Sequence, residues 1–152
     1  MRNDDLLAVA KVHKAAFPRQ LLSASWIKCN FNAYPRIRYF VAENQEIVCG
    51  YIQWTEKSGF RKEVVLELEQ IAVLPSHQNQ GIGSALISES LKAVQEELKQ
   101  RSASIKYILV STRIDNEAQK LYKKTLNAQP EAVLSHLFSA DEVLMIARNP
   151  LI

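Results

Sequence analysis

The sequence is poor in cysteine and glycine, and both scarcities exclude something. Only Cys29 and Cys49 occur in 152 residues, with no Cys-x-x-Cys pair, so a disulfide framework, a zinc knuckle and a thioredoxin-type redox centre are not supported. Both thiols read as buried or indifferent. The four glycines, Gly50, Gly59, Gly81 and Gly83, cannot spell G-x-G-x-x-G or G-x-x-x-x-G-K-[ST], which removes the dinucleotide-binding and P-loop fingerprints. Long apolar runs are missing as well. Leu6 to Ala10 and Val143 to Ala147 are the longest unbroken ones, far below the roughly 18 residues of a spanning helix. Asp4 and Asp5 interrupt the start before a signal-type apolar stretch develops, so the expected location is the cytoplasm, with no membrane partner. An excess of one charge is lacking too: 19 basic and 16 acidic residues leave +3, and like charges cluster no further than pairs such as Lys123-Lys124. A nucleic-acid partner is therefore not expected. His13, His77 and His136 are scattered, and no metal site is expected.

What remains is ordinary globular material. With 47% apolar and 23% charged residues, the chain is expected to form one domain over 1–152 around one core. Apolar positions at helical spacing predict a first helix over about 4 to 16, closed by Pro18, and a second over 20 to 32. Trp26, Phe31 and Tyr34 are expected to pack that second helix. Residues 38–43, 47–55 and 64–74 are rich in β-branched and aromatic residues, and predict a three-stranded antiparallel meander. The stripe Ile82, Leu86, Ile87, Leu91, Val94 and Leu98 predicts a long amphipathic helix over about 81 to 100. Tyr107 to Ser111 then reads as a strand, and Ala118, Leu121, Tyr122 and Thr125 as a helix stripe. Such a strand–helix–strand crossover favours parallel pairing. A closing hairpin is expected from Ala132 to Phe138 and Glu142 to Ala147. The predicted fold is α/β of the α+β kind: a mixed, mostly antiparallel sheet flanked by helices.

The segment Gln78-Asn79-Gln80-Gly81-Ile82-Gly83 lies between a strong strand and a strong helix. Exposed backbone amides and the positive end of the helix dipole meet there, and glycines let an anion approach the main chain. The run "IAVLPSHQNQGIGSALI", with [QR]-x-x-G-x-[GA] at Gln78, Gly81 and Gly83, resembles the acetyl-coenzyme A motif of the GNAT superfamily of N-acetyltransferases. About forty residues on, "NEAQKLYKK" is similar to that family's second signature. The element order from 4 to 147 follows the family fold, except that the strand which usually precedes the first helix is missing. Asp115 stands where the family often has Asn, and Asn116 comes one later.

The resemblance implies acetyl transfer from acetyl-CoA, as co-substrate, to a primary amine by direct attack in a ternary complex, with no metal. Gln78, Asn79, Gln80, Gly81, Ile82, Gly83 and Ser84 would hold the pyrophosphate, Asn116 would contact pantetheine, and Arg113, Lys120, Lys123 or Lys124 would supply charge. The Ile71, Ala72 and Val73 main chain would pair with pantetheine and supply the oxyanion donor. Tyr122 would be the general acid. Glu67, eleven residues before Gln78 (78 minus 67), is similar to the base of some members, and Glu69 is the alternative. Either could equally be a solvated outer face of the strand. The rival readings are a non-catalytic acyl-CoA sensor or interaction domain and a weaker nucleic-acid-associated module. A homodimer is left open, and the acceptor is not readable.

Overall fold

The computed structural model describes residues 1–148 and 150. A 3-10 turn, Asn3–Asp5, leads into helix α1 (Leu6–Ala16), followed by α2 (Ser23–Phe31), β1 (Ile37–Asn44), β2 (Ile47–Glu56) and β3 (Glu63–Val73). After a second 3-10 turn, Pro75–His77, come α3 (Ile82–Gln100), β4 (Ser104–Arg113), α4 (Ala118–Leu126), β5 (Gln129–Leu134) and β6 (Glu142–Ala147). The six strands form one mixed sheet in the order β1-β2-β3-β4-β6-β5. β1 and β2 are antiparallel, β3 and β4 parallel, and β6 lies antiparallel to both β4 and β5. Before α1, the described residues contain the 3-10 turn and no strand. Among the described residues no helix is long and apolar enough to cross a membrane.

The chain divides into two compact units, 1–55 with 70–90 and 56–69 with 91–152. In the first, α1 and α2 supply Val9, Ala10, Val12 and Ile27 to a cluster with Ile37, Tyr39, Tyr51 and Ala72. The two core tyrosines are each tied to a buried glutamine. Tyr39 donates to Gln53 Oε1 at 2.6 Å and Tyr51 donates to Gln70 Oε1 at 3.0 Å. The first half of α3 is fastened to β2 by the Trp54 indole, which donates to Ser90 Oγ at 2.7 Å. Gly50 lets that helix approach, because an added Cβ would lie 3.0 Å from the Ala72 carbonyl oxygen and 3.3 Å from Leu86 Cδ1.

In the second unit one sheet face is closed: Leu66, Ile108, Val110 and Met145 are all buried, as is Leu126 of α4. Asn127 ends α4 in the left-handed region at φ 55°, its N–H bonded to Lys123 O. Ala128 N–H reaches back to Tyr122 O at 3.3 Å. Asparagine thus supplies the helix stop that glycine commonly gives. Glu56, 1% exposed, takes a charged hydrogen bond from Arg101.

Three expectations are corrected. The penultimate strand runs from Gln129 to Leu134, earlier than predicted, because β5 is a sheet edge and tolerates Pro130. The second helix starts only at Ser23, since Leu22 sits at φ 56° and cannot continue a right-handed helix. Trp26 and Tyr34 do not pack it: they are 39% and 63% exposed, and Ile27 alone is buried on α2. Phe31 does pack against the cluster. Replacing Gly50 with Ala should lower unfolding free energy by about 1–3 kcal/mol through overpacking; an unchanged urea midpoint would show that α3 gives way freely.

Candidate functional site

The connection from β3 to α3 is built by its own polar side chains. Leu74 N–H closes on Cys49 O at 2.8 Å, and the Gln78 amide donates to Val73 O at 3.0 Å. Gln80 donates to Ser76 O at 3.4 Å. Asn79 and Gly81 then take left-handed conformations, φ 61° and 80°. The first helical hydrogen bond runs from Ala85 N–H to Gly81 O at 3.0 Å, so the amides before Ala85 have no partner within the helix. Gln78, Asn79, Gln80 and Gly81 are exposed, while Ile82, Gly83 and Ser84 are half-buried. A Cβ built on Gly81 would meet nothing within 4 Å. The turn is an open, cation-free cradle of neutral donors that suits an anion with several oxygens.

β3 alternates along its whole length. Leu66, Leu68, Gln70 and Ala72 are buried, whereas Glu67, Glu69, Ile71 and Val73 share the half-buried face. The two candidate carboxylates therefore lie on one face, as their spacing predicts, but Glu67 is held by Lys57 Nζ at 2.8 Å. The register with β4 runs from Glu63↔Ser104 to Glu67↔Leu109, and β3 continues beyond it to Val73.

Tyr122 sits on α4 at 5% exposure, and burial pushes its phenol up to about 12. It is fully protonated at neutral pH. Asn116 is occupied locally: its Nδ2 donates to Thr112 Oγ1 at 2.8 Å and its Oδ1 accepts Ala118 N–H at 2.9 Å, as a cap for α4. Asp115 holds Arg113 through two bonds, 3.0 and 2.7 Å. Lys120 pairs with Glu117, and Lys123 and Lys124 are exposed. No group of three His, Cys, Asp or Glu side chains among the described residues could hold a metal ion.

Glu142 was not singled out by sequence reasoning. It opens β6 at 6% exposure, and burial raises its carboxyl above the ordinary value. The only sequence signal is the acidic pair Asp141-Glu142 at the head of the apolar run Val143 to Ala147.

The Tyr122 shift has a stability consequence. A phenol raised in the folded state stabilises the fold below pH 10, and that contribution is lost as pH climbs toward 12. Tyr51 is also raised, by burial and by Tyr39. Stability should therefore fall between pH 10 and 12, less steeply in Tyr122→Phe; coincident curves by thermal unfolding would contradict it.

Residues 35–125 match the family model of the acetyltransferase (GNAT) domain. An N-alpha-acetyltransferase of Sulfurisphaera tokodaii is 28% identical over 158 residues, spanning 99% of this chain and 90% of that protein. An aminoglycoside 6'-N-acetyltransferase complexed with coenzyme A shares the fold at TM-score 0.75 and 15% identity, over 95% of this chain and 91% of that one. The NatC complex bound to Gag peptide and CoA does so at TM-score 0.76 and 16% identity, over 99% and 93%. The family model spans more than half of this sequence, including both the Gly81 turn and Tyr122, and the chain belongs to the GNAT acetyltransferase family.

Proposed function

We propose that the protein is one acyltransferase domain that transfers an acetyl group from acetyl-CoA to a primary amine by direct attack in a ternary complex. The observation that carries this is the Gly81 turn. It presents unpaired amides at the head of α3, an unobstructed approach at a positive-φ glycine, and no competing acidic group in Gln78–Ser84. Gly81, Ile82, Gly83 and Ser84 would offer main-chain donors to the pyrophosphate. Gln78 and Gln80 would keep the turn in shape rather than bind, since both amides point to the loop's own carbonyls. Main chain at Ile71, Ala72 and Val73 would take the pantetheine arm and donate to the developing oxyanion; such donors are worth several kcal/mol. Asn116 would act indirectly, by capping the helix that carries Tyr122. Acetyl-CoA, when bound, supplies an activated thioester.

The protein's own chemistry is proton handling. Tyr122 holds a proton at neutral pH for the departing sulfur. Glu67 or Glu69 would accept the proton of the attacking amine, and for Glu67 this requires opening the Lys57 pair. The sequence relative and the peptide-bound structure support placing polypeptide α-amines first among acceptors. An α-amine ionises near 7.7–8.0 rather than near 10.4, so part of it is already neutral and the demand on the base is modest. The second reading, an acyl-CoA sensor, is favoured only by the engagement of Glu67 with Lys57.

Two measurements test the proposal. Gly83→Val should weaken acetyl-CoA binding by calorimetry, and equal affinity would remove the cradle. In a screen of amine acceptors read by free coenzyme A, Tyr122→Phe should lower turnover by about 10² to 10⁴. Full turnover in that variant would strip Tyr122 of its role, and acetyl-CoA binding with no thiol release from any acceptor would favour the sensor.

A further inference from the structure

β4 and β6 place a buried, unpartnered hydroxyl and a little-exposed carboxylate on neighbouring strands. The Ser111 hydroxyl is buried without a hydrogen-bond partner. Glu142 is 6% exposed, and the charges of Arg113 and Asp115 act on its carboxylate in opposite senses. Arg113 is its Cα partner across the ladder, yet that guanidinium is spent on Asp115 in two bonds. A buried hydroxyl without a partner is costly, and a carboxylate this little exposed gains from a cationic occupant.

The register brings the two groups together. Ser111 pairs with Leu144 and Arg113 with Glu142, so Ser111 and Glu142 are diagonal neighbours on one sheet face, about 7–8 Å apart at the backbone. A glutamate side chain can close most of that gap. The face is the one away from buried Ile108, Val110 and Thr112. Glu67 lies on it too, through its pairing with Leu109. Leu134 and Ala132 of β5 flank Glu142 and Leu144 in the ladder and add apolar surface.

We propose that Glu142 and Ser111 recognise the ammonium group of the amine acceptor, a specificity that rests on the acetyltransferase reading. The chemistry selects this ligand. Both groups present acceptor lone pairs, and a primary ammonium brings a positive charge with three N–H donors. An anion is repelled by Glu142, and a divalent metal would want more ligands than a carboxylate and a hydroxyl supply. Protein α-amines and small alkylamines share the same ammonium. Glu67 or Glu69, on the same strand face as each other, would then receive the proton, Glu67 only once its Lys57 pair opens, so binding and deprotonation fall to different carboxylates.

The test uses the full chain and a simple probe. In ¹H–¹⁵N spectra at pH 7, n-butylammonium chloride should shift the Ser111 and Glu142 amides saturably, whereas tetramethylammonium, charged but without N–H donors, should not. Glu142→Gln keeps the side-chain shape and should weaken n-butylammonium by about tenfold or more, with Ser111→Ala weakening it by less. Acetyl-CoA affinity and Tm should be retained in both. Equal shifts with tetramethylammonium, or wild-type n-butylammonium affinity in Glu142→Gln, would overturn the proposal. Ammonium shifts lost in Glu142→Gln, in a protein whose wild type does not bind acetyl-CoA, would uphold the site and instead remove the acetyltransferase reading. Where an acceptor turns over, the KM of Glu142→Gln for a peptide α-amine and for n-butylamine separates the two sources: a rise for both follows from ammonium recognition, and a rise for neither contradicts it.

Discussion

A helix that begins on a left-handed glycine leaves its first amides with no intrahelical partner, and the local structure around Gly81 serves that condition. Two glutamines are consumed in holding the Val73 and Ser76 carbonyls, Asn79 and Gly81 absorb the positive dihedral angles, and residues 78–84 themselves carry no acidic or basic side chain. Anion binding by such a turn depends on shape and dipole, so it needs rigidity behind it. In the first unit that rigidity comes from Gly50, which lets α3 sit close to β2, and from the Trp54–Ser90 bond that fastens it.

The second unit separates stability from chemistry by strand face. Along β4 the residues Ile108, Val110 and Thr112 build the closed side, where Thr112 also receives the Asn116 amide. The alternate residues Leu109, Ser111 and Arg113 stand on the other side with Glu67 and Glu142. A two-residue period thus lets one strand satisfy a core and display polar groups. The polar groups on the open side differ in their state: Glu67 is paired, Arg113 is paired, Ser111 Oγ is buried without a partner, and Glu142 is little exposed.

Much of this was legible in the sequence because it is periodic or local. The long helix after Gln80 is an uninterrupted apolar stripe, β3 alternates without a break, and the Gly81-x-Gly83 spacing marks the turn by itself. The parallel β3–β4 pairing followed from the crossover between them. Boundaries failed where tertiary context decides. β5 begins at Gln129 because an edge strand accepts Pro130, and Leu22 delays the start of the second helix through a dihedral angle that composition does not reveal. Trp26 and Tyr34 looked like core and are exposed. Burial of Glu142 could not be read either, since the acidic pair Asp141-Glu142 ahead of an apolar run looks like a solvated strand end until its ladder partners are known.

The account stands on the amides at the head of α3 meeting a diphosphate. Its most direct test is a titration of the ¹⁵N-labelled chain with coenzyme A, followed amide by amide. Saturable shifts largest at Gly81, Ile82, Gly83 and Ser84 are what the account predicts. Saturable binding that leaves those four amides unmoved would contradict it.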